Sequence, residues 1–155
     1  MNHIAKKSFV VFAFLLVACN GQKRATAKEG GAEQQTDFEL LVSDSYSGAE
    51  NSETMVITST KALVSFFAQI NKTRKPGLPV PDIDFEKEMI IVTCSGPRND
   101  GSLPVLKIKE ETTSEMVLLS ALKSSKDAQF QGLTSPFSLY KMPLTDKEIV
   151  FEAAQ

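Results

Sequence analysis

A chain of 155 residues has room for one domain of ordinary size plus a short appendage, and 42% hydrophobic with 23% charged residues is the make-up of a folded globular protein. A formal charge of −2 with no basic cluster gives no footing for nucleic-acid binding. The sole histidine, His3, lies in a segment expected to be removed, so Ser-His and Cys-His mechanisms and imidazole zinc sites are excluded from the mature chain, while carboxylate chemistry survives.

Residues 1–18 combine a basic head ending in Lys6-Lys7 with the apolar run Phe9-Val10-Val11-Phe12-Ala13-Phe14-Leu15-Leu16-Val17. That is the pattern of a secretory signal, too short to span a membrane comfortably. Its end, Leu16-Val17-Ala18-Cys19, resembles the bacterial lipobox, in which a diacylglycerol is attached to the cysteine and the peptide is cut before it. Cys19 is therefore expected to be lipidated and to become the first mature residue; the alternative is an ordinary signal peptide or uncleaved anchor with an incidental Cys19. Loss of Lys6 and Lys7 leaves 15 basic against 19 acidic side chains, a balance of −4. The expected address is the cell envelope, on a bacterial membrane and facing the periplasm or the outside, held by more than one acyl chain.

Residues 19–36 contain no large apolar side chain after Cys19, so they cannot offset their chain entropy by burial and read as a flexible tether. Lys23-Arg24 offers a contact for anionic lipid, but two charges are weak evidence and a solvated linker is the better reading.

From residue 37 to 155 the pattern is that of one domain. Residues 38–42 and 55–58 read as short strands separated by a polar loop containing Tyr46-Ser47-Gly48. Ser59-Thr60 offers an N-cap for a helix over about 60–73, with Leu63, Phe66, Phe67 and Ile70 on one face. Lys72, Arg74 and Lys75 suit its C-terminal end, and Pro76-Gly77 stops it.

An extended Leu78-Pro79-Val80-Pro81 connector leads to Asp82, Asp84, Glu86 and Glu88, which alternate with Ile83 and Phe85. Such acids invite a calcium reading, but the glycine turn and spaced closing glutamate of an EF-hand are absent, and a strand approach with acids facing solvent is the better reading. No metal and no cofactor is expected. Met89-Ile90-Ile91-Val92 reads as a central strand buried on both faces, ending near Cys94. With Cys19 acylated, Cys94 has no intramolecular partner and is expected to be a small, buried, slowly reacting thiol.

Gly96-Pro97-Arg98-Asn99-Asp100-Gly101-Ser102 is dense in turn formers and reads as a hairpin tip or a longer exposed loop. Strands are expected over 103–110, 115–123, 137–142 and 148–151, with a bulge or two-sided burial at Val105-Leu106 and a mobile loop over 124–132, followed by a second polar loop over 131–136. The resulting fold class is α+β, mostly β: an antiparallel or mixed sheet or sandwich of about six to eight strands with one amphipathic helix packed on it.

Several of these stretches resemble the PrcB-type domain of bacterial protease-complex subunits. The matching residues are Tyr46-Ser47-Gly48, the Phe66-containing helix, Val80-Pro81-x-Ile83-Asp84-Phe85-x-Lys87-Glu88-Met89-Ile90-Ile91, Gly96 and Gly101, and Thr134-x-Pro136-Phe137-x-Leu139-x-Lys141-Met142-Pro143. The likeness spans about residues 38–151, and it implies a small exported β domain, often a lipoprotein, that acts as an accessory to a protein partner. Where that family has a Pro-Thr-Gly-Gly-Tyr-like loop, this chain has Asn99-Asp100-Gly101-Ser102-Leu103, which puts the identity of the partner in doubt.

The expected function is non-catalytic: a lipid-anchored envelope protein, not an enzyme, that binds or stabilises an exported partner such as a protease complex. Its candidate partner-binding loop is Arg98, Asn99, Asp100, Gly101, Ser102 and Leu103. The alternative is a protease inhibitor presenting this loop, beside 133–137, on a sandwich-like scaffold, since the loop faintly resembles the binding loops of chagasin-like cysteine-protease inhibitors. A free-standing structural envelope protein is the plainest reading.

Overall fold

The computed structural model describes residues 38–124 and 132–153; the expected signal segment, Cys19, the expected tether and most of the 124–132 loop lie outside them. Seven strands and one helix follow in the order β1 (Glu39–Asp44), β2 (Ser52–Ile57), α1 (Thr60–Ile70), β3 (Glu88–Ser95), β4 (Leu103–Glu111), β5 (Glu115–Lys123), β6 (Phe137–Pro143) and β7 (Glu148–Ala153). The first sheet has the order β1-β6-β3-β2 and is antiparallel throughout. The second has the order β4-β5-β7, with β5 and β7 parallel. This is a mostly β, α+β architecture, an open sandwich with a single helix.

The apolar run in β3 explains the layering. Ile90, Val92 and Cys94 point to one side, where they meet Phe137 and Leu139 of β6 and the helical residues Leu63, Phe66, Phe67 and Ile70. Met89 and Ile91 point to the other, against Tyr140 and Met142 of β6 and Leu106, Met116 and Leu118 of the second sheet. Because side chains alternate along a strand, an uninterrupted apolar run is stable only where both faces are covered. Each such aliphatic side chain contributes roughly 1.5–3 kcal/mol by leaving water. The Phe66 ring meets Phe137 edge to face at a centroid distance of 5.5 Å, tying the helix to the interior of the sheet.

α1 starts as its sequence predicts, with the Ser59 side chain accepting from the Ala62 amide, but it ends at Ile70 and not near 73. The cause is Asn71, whose side chain binds back to the Leu78 backbone and turns the chain away. Lys72, Arg74 and Lys75 consequently lie beyond the last helical turn. Arg74 instead forks onto Asp44 at the end of β1, with Nη1 to Oδ2 at 3.1 Å. A charge expected to serve the helix terminus ties the post-helical turn to the sheet.

The acidic approach to β3 is a turn, not a strand. The Asp84 carbonyl accepts from the amides of Lys87 and Glu88, while its carboxylate accepts from the Glu86 amide and the Lys87 ammonium. Ile83 and Phe85 still pack on the helix-side core and Asp82, Asp84 and Glu86 stay exposed, so the partition of sides holds although the backbone conformation differs.

The bulge expected at Val105-Leu106 is displaced. Pairing there is regular, and the register slips between Ile108 and Glu110. Leu106 is buried between the sheets while Val105 is half-covered on the outer face, so adjacent apolar residues mark two partly covered faces. Residues 96–102 are the longer connection, not a hairpin tip, since β3 belongs to the first sheet and β4 to the second.

Candidate functional site

Three polar stretches far apart in sequence meet at one end of the sandwich: the link after β1, the β3-to-β4 connection, and the segment before β6. Arg98 and Thr134 exchange both backbone hydrogen bonds at 2.7 Å, an isolated antiparallel bridge that fixes the root of the loop. The Thr134 hydroxyl adds a third bond to the Arg98 carbonyl. One residue on, the Ser47 amide donates to the Ser135 carbonyl at 2.6 Å and the Ser47 hydroxyl donates to the same oxygen at 2.7 Å. The Gly48 amide in turn donates to the Ser135 hydroxyl.

Inside the loop Asp100 is the hub. Its Oδ1 accepts from the Ser102 amide at 3.0 Å, the Ser102 hydroxyl at 2.6 Å and the Arg98 Nε at 3.1 Å, while Oδ2 takes the Arg98 Nη2. The Arg98 guanidinium, together with the two Ser102 bonds, holds the Asp100 carboxyl well below the usual carboxylate range. Arg98 is raised by the same pairing. Such an Asp-centred knot, closed by Gly101 at φ 64°, ties the loop together with Ser102 buried beneath it and Asn99 and Asp100 left exposed.

The predicted loop residues therefore take different parts. Arg98, Asp100 and Ser102 are spent on one another, Gly101 supplies the left-handed turn, and Leu103 opens β4. Asn99 is exposed at the tip, and Leu133, on the adjoining segment, is 79% exposed. Asp100, already ionised and paired, is a poor proton acceptor for the Ser102 hydroxyl that touches it, and the Ser47 hydroxyl is committed to a backbone carbonyl. Among the described residues no three His, Cys, Asp or Glu side chains group as a metal site.

Cys94 lies behind this end, fully buried, and burial pushes its thiol up to about 11. Beside it the first sheet carries a transverse row of hydroxyls, Ser43, Ser138, Thr93 and Thr54, paired across all four strands. Ser43 and Ser138 share a hydrogen bond at 3.0 Å, and Thr93 reaches Ser120 of the second sheet at 2.8 Å. There the two sheets part into a cleft of about 480 Å³ lined by Ser52, Ser95, Arg98, Ser120 and Leu122, on the loop side. Sequence reading missed this row; the signal was a threonine following Ile90-Ile91-Val92 in a strand otherwise apolar on both faces.

The Cys19 site lies outside the described residues, and among those described no helix is long and apolar enough to cross a membrane. No family model matches the chain, and neither a curated protein nor a solved structure matches it.

Proposed function

We propose that the protein is a non-catalytic, lipid-anchored envelope component that binds or stabilises an exported protein partner, a protease complex being the first candidate, through the loop end of the sandwich. The observation that carries this reading is the stiff knot of Arg98, Asp100 and Ser102, latched at Thr134 and flanked by exposed Asn99 and Leu133. A loop whose conformation is fixed beforehand loses little entropy on docking, so its few exposed groups are worth more to a partner. The lipobox-like Leu16-Val17-Ala18-Cys19 and the likeness to PrcB-type domains supply the address and the accessory role.

Affinity purification of the full-length protein from detergent-solubilised membranes tests the reading. A stoichiometric partner is expected, and it is lost or depleted on Leu133→Asp or Asn99→Arg substitution. Recovery of the protein alone under mild conditions overturns it.

The same stiffness favours one second reading, a protease inhibitor that inserts residues 98–103. Micromolar protein added to a panel of cysteine and serine proteases separates the two, because only an inhibitor slows peptide-substrate cleavage.

A further inference from the structure

The two sheets have four outer strands, and three of their free edges carry features that discourage further pairing. β1 slips register between Leu40 and Val42. β4 has Pro104, a second slip between Ile108 and Glu110, and exposed Lys107, Lys109, Glu110 and Glu111. β7 places exposed carboxylates, Glu148 and Glu152, toward its two ends. Bulges, prolines and charges are the usual means by which an edge is blunted.

β2 has none of them except one charge. Its register against β3 is unbroken from Ser52↔Ser95 to Ile57↔Ile90, it contains no proline or lysine, and Val56 stands 38% exposed. Among the described residues no strand lies on its other side. We propose that this edge pairs with a second copy of itself, β2 against β2 antiparallel about a two-fold axis normal to the sheet, so that two four-stranded sheets become one.

The occupant follows from the strand itself. An axis normal to the sheet keeps the helices of both copies on one face and requires opposed residues to share a face, so it passes beside a residue. Centred on Met55 it sets Glu53 opposite Ile57; centred on Thr54 it sets Glu53 opposite Met55. Both use nearly the whole strand without opposing like charges, which only a register centred on Glu53 would do, with less overlap. Next to the edge a groove of about 280 Å³ between β2 and α1 is lined by Met55, Ile57, Ala62, Ser65 and Phe66, with Glu53 also on its wall. The small Ala62 and Ser65 leave room there for the second copy's Met55, an adaptable filler. Pairing is closed, since it consumes both β2 edges and leaves only blunted ones, and it yields a dimer, not a fibre.

Sedimentation of the full-length protein in density-matched detergent at high micromolar concentration tests this directly. The expected protein mass is that of two chains, falling to one chain in Val56→Lys with the thermal midpoint retained, because Val56 is exposed. Mild oxidation of Thr54→Cys and Met55→Cys adds a readout independent of that variant's folding. Directly opposed residues have Cα atoms about 4.5–5.5 Å apart, within disulfide reach, so the variant on the axis forms an intermolecular bond that the wild type, with Cys94 buried and Cys19 expected to be acylated, does not. A single-chain mass for the wild type overturns the proposal. So does a two-chain mass that survives Val56→Lys while neither cysteine variant cross-links.

Discussion

Asn71 grips Leu78 at both backbone groups: its Nδ2 donates to the Leu78 carbonyl at 2.9 Å and its Oδ1 accepts from the Leu78 amide at 2.8 Å. One side chain thus stands in for a strand partner, closing the turn that follows α1 and returning the chain toward the sheet. Asn71→Ala removes both bonds and leaves half-buried backbone groups unpaired, at a cost of about 1–3 kcal/mol. Asn71→Asp keeps the acceptor but turns a carboxylate oxygen toward the Leu78 carbonyl, and is expected to be at least as destabilising. Urea unfolding with both variants checks the order; a midpoint unchanged in Asn71→Ala would count against the clamp.

Gly96 sits at φ 68°, and a Cβ added there would lie 2.9 Å from the Asn51 backbone carbon. Backbone cannot step aside as a flexible side chain can, so Gly96→Ala combines a left-handed penalty of about 1–2 kcal/mol with a clash. Gly101 has a similar φ of 64° in the β3-to-β4 connection. Gly96→Ala is therefore expected to lower the thermal midpoint more than any alanine substitution in the loop 98–103.

Burial raises the Cys94 thiol from its ordinary 9.0 to about 11, so the native protein should react slowly with a disulfide reagent at pH 8 and promptly once unfolded. The sign for stability follows from proton binding. Between about 9 and 11 the folded state holds the thiol proton that the unfolded chain has released, so stability present below pH 9 declines as pH rises through that window. Cys94→Ser shifts the hydroxyl's ionisation out of reach and should flatten this alkaline slope. A slope that persists in Cys94→Ser would assign it to another group.

The Asp100 carboxylate titrates below the ordinary 3.8. Whatever it contributes to loop order is present above that value and is lost as pH falls through the lower folded value. Carbon-detected titration should show Asp100 still ionised at pH 3.8, the ordinary midpoint of an aspartate. Asp100→Asn keeps an acceptor for the Ser102 amide yet gives up the charged fork to Arg98, so the Ser102 amide should exchange faster with solvent while the β3 amides stay protected.

Much of the fold was legible because the local signals were strong. The 115–123 strand follows the polar Glu111-Thr112-Thr113-Ser114 separator and opens on the apolar run Met116-Val117-Leu118-Leu119, and β5 is found over Glu115–Lys123. The run from Met89 to Val92 announced two-sided burial through its lack of any polar residue. What stayed illegible were non-local choices. Nothing local tells β1 to pair with β6, or β7 to lie parallel to β5, and Asn71 ended the helix through a bond to a residue seven positions away. The candidate loop could be located by its turn residues, but not the use of Arg98 and Asp100 on each other, since pairing two residues apart depends on the turn that Gly101 permits.

The placement of β6 between β1 and β3 has a consequence for the order in which the chain can assemble. β1 is the first described strand to be made, yet the strand it joins spans Phe137–Pro143. Until those residues are available, β1 has no partner, the edge of β3 toward β6 is unpaired, and the helix lacks Phe137 and Leu139 beneath it. Completion of the first sheet is thus withheld until the chain is nearly finished, the behaviour of a high-contact-order topology. A nascent chain stopped anywhere before Phe137 should be degraded by protease as readily as an unfolded one, and the same property keeps an unfinished chain loose enough to be threaded through a narrow pore.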